Sequence, residues 1–184
     1  QKKYNKIIIA GHSEGSLIGM IAANGKADAF ISLAGAGRTI DTVLVEQIAK
    51  QAPYLKEEVQ DNLNILKSGK TFELKNPMLA SIFRESVQPY MISWIKYNPQ
   101  IEIAKLQMPV LIVNGTKDLQ VAVHDAELLK KAKPEAELVL IENMNHIFKE
   151  IKGDDTENIQ SYSNPDAPIA PKLTNPITVF IKAL

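Results

Sequence analysis

The sequence predicts an α/β fold built on a parallel sheet, and three patterns predict it. Four short runs are apolar on both faces, as strands buried between helices must be. Helical periodicity alternates with them. Glycine or proline stands where elements must end. The first run, Lys6-Ile7-Ile8-Ile9-Ala10-Gly11, leads directly into a segment from Ser13 to Gly25. There Leu17, Ile18, Ile21 and Ala22 fall at helical spacing, and Gly25 is a plausible stop. Ala29 to Gly35 reads as the second strand, Met108 to Gly115 as the third and Glu137 to Ile141 as the fourth. Val123 to Lys133 reads as a helix closed by Pro134, and Pro176 to Leu184 as a last helix.

One region breaks the alternation. From about Asp41 to Asn98 the pattern is helical throughout. Asp41 is a good N-cap with Val43, Leu44 and Ile48 behind it. Pro53 opens a second helix carrying Leu55, Val59, Leu63 and Leu66, and Gly69 ends it. Shorter helices are expected over Met78 to Arg84 and Gln88 to Tyr97. The whole chain, 1–184, therefore reads as one domain with a helical cap inserted at about 41–98. The polar, proline-rich stretch from Gly153 to Pro171 reads as a loop.

Composition narrows the classes of function. The chain has 184 residues, 45% hydrophobic and 23% charged, with 21 basic and 21 acidic side chains. That balance offers no basic stripe for a nucleic acid, and no nucleic-acid partner is expected. No apolar run is long enough to span a bilayer as a helix. The absence of cysteine removes disulfides, thiolate metal sites and a cysteine nucleophile together. The compartment stays open.

Gly11-His12-Ser13-Glu14-Gly15 matches G-x-S-x-G between a strand and a helix, the setting in which that pentapeptide carries chemistry. A serine on a sharp strand-to-helix corner holds its hydroxyl out from the sheet. Glycines on both sides are expected to allow backbone approach that a Cβ would block. The helix N-terminus favours developing negative charge.

A serine hydroxyl needs a base, and the chain has three histidines. His12 is expected to point away from Ser13 and pack against another strand. His124, at a helix start, reads as an exposed or capping residue. His146 follows the fourth strand, at the sheet end where α/β folds place their sites, and is the expected base. The imidazole needs a carboxylate to orient it. Asp118, after the third strand, fits; Asp125 and Glu142 stand in reserve. The resulting order, Ser13, Asp118, His146, is that of one hydrolase class.

Three segments, G-H-S-E-G at 11–15, P-V-L-I-V-N-G-T-K-D at 109–118 and N-H-I-F at 145–148, resemble the α/β-hydrolase superfamily, in particular its bacterial serine esterase and serine aminopeptidase-like branch. The resemblance implies an α/β-hydrolase fold, a cap in the position of the insert, no metal or organic cofactor, and a small-molecule ester or acyl substrate. It makes the Glu14 backbone N–H one oxyanion donor. The family's sheet has further strands before the nucleophile corner, one of whose loops supplies a second donor. Those N-terminal strands are missing here, so the chain is expected to be part of a larger protein. A preceding segment or a second copy is expected to pair with the open edge at Lys6–Ala10. Ester hydrolysis is the leading expectation. Peptide hydrolysis and a catalytically silent binding module on the same fold are the alternatives.

Overall fold

The computed structural model describes residues 4–184. It divides into two compact units, one formed by 4–37 and 99–184, the other by 38–98. In the first, four parallel strands lie in the order of the chain: β1 (Ile8–His12), β2 (Ala29–Leu33), β3 (Val110–Gly115) and β4 (Glu137–Ile141). Register is continuous, with Ala10 opposite Ile31, Ile31 opposite Leu111, and Leu111 opposite Glu137. Among the described residues β1 is an edge of the sheet, and Ile7 beside it is 59% exposed.

Alternate side chains of each strand feed opposite faces. Ala29, Ile31, Leu111, Val113 and Ile141 form one core with Leu173 and Phe180. Phe180 belongs to the last helix of the chain, Thr174–Ala183. On the other face, α1 (Glu14–Ala23) settles against Phe30, because a Cβ at Gly19 would lie 2.7 Å from that ring. Fully burying an aliphatic or aromatic side chain of this kind contributes roughly 1.5–3 kcal/mol.

The second unit is helical, as its periodicity requires. It comprises α2 (Ile40–Gln51), α3 (Lys56–Lys67), α4 (Ala80–Phe83) and α5 (Gln88–Ile95), with single turns of 3-10 helix at Pro53–Leu55 and Pro77–Leu79. Leu55, Val59, Leu63, Leu66, Leu79, Phe83, Met91 and Ile95 make its own core. Gly69 closes α3 at φ 78°, a conformation that favours glycine. Asp41 does not cap α2. Thr39 holds that position, and Asp41 lies inside the first turn, buried and ion-paired with Lys67 of α3. Burial alone would raise the Asp41 pKa, but Lys67 and hydrogen bonds from Thr39 and Thr42 hold it below its usual value.

After the helical unit come α6 (Pro99–Ala104) and α7 (Val123–Ala132). The stretch expected as loop after Gly153 contains α8 (Asp155–Ser161). Asp154 caps it, its carboxylate accepting from Thr156 N–H at 3.0 Å and Glu157 N–H at 3.2 Å. Polar composition hid a helix whose capping signals are present. The last helix, Thr174–Ala183, is α9. No helix among the described residues is long and apolar enough to cross a membrane.

Candidate active site

β1 runs into a tight corner at Ser13, whose φ of 54° and ψ of −121° lie where L-residues are strained. The corner is held by Ser13 N–H donating to Leu33 O at 2.9 Å and Ser16 N–H donating to Ser13 O at 3.0 Å. Gly11 makes the approach possible, since a Cβ there would fall 2.0 Å from Gly15 O. Gly15 differs from expectation: a Cβ on it meets nothing within 4 Å. Steric demand explains the first glycine of the motif and not the second.

The loops after β3 and β4 meet at the same end of the sheet. Thr116 N–H donates to Ile141 O at 3.0 Å, and Lys117 N–H to Met144 O at 3.0 Å. Gly115 allows this closure, because a Cβ there would lie 2.0 Å from Met144 O. Asn143 and Phe148 take φ of 62° and 66°, so the loop that bears His146 bends sharply on either side of it.

Ser13, His146 and Asp118 come together. His146 Nε2 lies 3.0 Å from Ser13 Oγ, and its Nδ1 lies 2.8 Å from Asp118 Oδ2. His146 is 3% exposed, and the Asp118 side chain is fully buried. The other carboxylate oxygen, Oδ1, accepts from Gln120 N–H and Val121 N–H at 2.8 Å each. An ionised carboxylate only accepts, so His146 Nδ1 carries the proton and donates it. That leaves the Nε2 lone pair facing the serine hydroxyl. Glu14 is the first residue of α1, so its N–H lies at the positive end of the helix. Burial pushes its side-chain carboxyl above the usual value.

His12 turns to the loop after β4. Its Nε2–H donates to His146 O at 2.9 Å, and its ring lies 4.8 Å from that of His146 and 4.6 Å from that of Phe148. The residue beside Ser13 therefore braces the loop that bears His146. Burial lowers its pKa, opposed by the hydrogen bond to His146 O. His124 is exposed at the start of α7, 3.6 Å from Glu127. Asp125 is buried and accepts from Gly37 N–H at 3.1 Å, while Glu142 sits at the surface with Lys172 3.9 Å away.

Two residues that the sequence did not single out belong to this end of the sheet, Asn145 and Asn158, both fully buried. Asn145 belongs to the N-H-I-F segment, whose pattern assigns it no role. Asn158 lay in the presumed loop. Among the described residues no group of three or more His, Cys, Asp or Glu is placed to hold a metal ion.

Two solved structures bear on the architecture. An esterase from Pyrococcus furiosus aligns with a TM-score of 0.54 at 15% identity, over 97% of this chain and 54% of that one. Est1E from Butyrivibrio proteoclasticus aligns with a TM-score of 0.51 at 20% identity, over 89% of this chain and 60% of that one. The chain has the α/β-hydrolase fold and spans between 54% and 60% of the length of these two structures. No family model and no curated protein matches the sequence.

Proposed function

We propose that this chain carries the reacting residues of a serine hydrolase that cleaves carboxylic esters through an acyl-enzyme on Ser13. The observation that supports it most is the continuous line from Ser13 Oγ through both nitrogens of His146 to a buried carboxylate. Sequence order and sheet position agree with it.

In this reading His146 Nε2 takes the Ser13 proton as Oγ attacks the ester carbonyl. Asp118 keeps the imidazole in the required tautomer and stabilises the imidazolium that forms. The oxyanion develops beside the Glu14 N–H at the head of α1. His146 returns the proton to the departing alcohol, leaving an acyl ester on Ser13. Water, activated by the same imidazole, then releases the carboxylic acid and restores Ser13. The 3.0 Å separation of Ser13 and His146 gives the silent-module alternative no support. Nothing in the geometry favours a peptide over an ester.

A fluorophosphonate probe tests the proposal without a known substrate, because it reacts with an activated serine. Intact mass is expected to show one adduct, lost in Ser13→Ala. Labelling that survives Ser13→Ala would sink the reading, as would an unlabelled form that also carries the preceding strands expected to supply the second oxyanion donor.

A further inference from the structure

The two groups that would act on Ser13 come from separate loops, Asp118 after β3 and His146 after β4. Their alignment depends on what ties those loops together beyond the sheet. Two loop-to-loop bonds supply part of it: Lys117 N–H reaches Met144 O, and Asn143 N–H donates to the Thr116 hydroxyl Oγ1 at 2.9 Å. A further tie comes from α8. Asn158 Nδ2 donates to Lys117 O at 2.7 Å, one residue before Asp118. Asn158 Oδ1 accepts from Asn145 Nδ2 at 3.0 Å, one residue before His146.

The partners of this amide are themselves held. Asn145 Nδ2 also donates to Ser161 Oγ at 2.8 Å, and Ser161 Oγ donates to Asn158 O at 2.7 Å. Asn145 Oδ1 accepts from Ile147 N–H at 3.2 Å and Lys149 N–H at 2.8 Å, which shapes the turn around His146. A buried network with its donors and acceptors matched fixes geometry more strongly than its pairs would singly.

We propose that Asn158 is a positioning residue for the hydrolysis, its single amide spanning the loop of the acid and the loop of the base and setting their separation. The proposal rests on the serine hydrolase reading for its functional meaning. Asn158 touches neither Ser13 nor His146 directly; it acts through Lys117 O and Asn145.

A merely structural role for α8 predicts lost stability alone, so the test reads the pair itself. A histidine Nδ1–H donated to a carboxylate gives a low-field proton resonance, visible by NMR on this chain whether or not it turns over an ester. That resonance is expected in wild type and in Ser161→Ala, which keeps both Asn158 links. It is expected to vanish in Asn158→Asp, which is nearly isosteric and removes the donor to Lys117 O, while methyl spectra of β1–β4 stay unchanged. Labelling of Ser13 by the fluorophosphonate is expected to slow about 10²-fold in the same variant, the cost of a small misplacement. Should Asn158→Asp fail to fold, Asn145→Ser cuts the base-side link and is expected to lose the resonance too. A folded variant of either kind that keeps the resonance at its wild-type position overturns the proposal. Absence of labelling in a form that also carries the preceding strands, with the resonance present and lost in Asn158→Asp, would instead remove the hydrolase reading and leave the hold of Asn158 on the pair standing.

Discussion

Two buried polar sites, one in the helical unit and one in the sheet unit, are satisfied in different ways. In the helical unit Gln88 is fully buried, and its Nε2 donates to Phe72 O at 2.8 Å and Phe83 O at 2.7 Å. Its Oε1 accepts from Phe72 N–H at 2.8 Å. Every partner is backbone, and the result is a staple between chain segments. In the sheet unit, Ser13, His146 and Asp118 bond side chain to side chain, drawn from three different strand ends. A staple satisfies groups that the fold had to bury. The line from Ser13 to Asp118 instead joins three polar side chains across loops, and on the proposed reading it lets His146 exchange one proton with Ser13 while Asp118 holds the ring.

Three substitutions sharpen or break this contrast. Asp118→Asn is expected to slow fluorophosphonate labelling by about 10⁴-fold, because an amide no longer selects the Nδ1–H tautomer. A loss below about tenfold would mean that the carboxylate is only another staple. Phe83→Ala addresses the other unit. Phe83 is fully buried with its ring 5.9 Å from that of Phe72, and truncation is expected to cost about 3–5 kcal/mol in denaturant unfolding. The His146 low-field resonance should be unchanged while the protein stays folded. If that resonance disappeared in the folded variant, the Ser13–His146–Asp118 line would depend on the Phe83 core.

The smallest effect concerns His12. Burial holds its pKa below 6.5, so the unfolded chain binds its proton first as pH falls. Stability contributed by neutral His12 is complete above that value and declines as pH drops from 6.5 toward the lower folded value. His12→Gln is expected to flatten this decline, read as urea midpoints across the same pH range. An unchanged pH profile would show that His12 braces the loop without being coupled to its own proton.

Much of this arrangement was legible in the sequence, and the omissions have physical causes. Glu137–Ile141 is the strand the apolar run predicted, and Ser13, Asp118 and His146 stand at the strand ends where their motifs put them. Local pattern sufficed there because each of the three residues follows an apolar run that marks its strand end. Asn145 and Asn158 carry no such demand: an asparagine in a polar stretch looks the same whether it faces water or bridges two loops. The start of α2 was misread because Asp41 found a partner on α3, a tertiary event that capping rules do not include. The same holds for His12, whose partner lies 134 positions along the chain. For α8 the signal was local and was outweighed by composition: Asp154 and Glu157 sit three apart, and the Glu157 side chain reaches back to Gly153 N–H.

The backbone of Ser13 has a thermal consequence. A non-glycine residue held at φ 54° and ψ −121° costs of order 1–3 kcal/mol. Domains of this kind are stable by only about 5–15 kcal/mol in all. The corner that presents the hydroxyl therefore draws down a sizeable part of the margin against heat, and it does so in every molecule at all times.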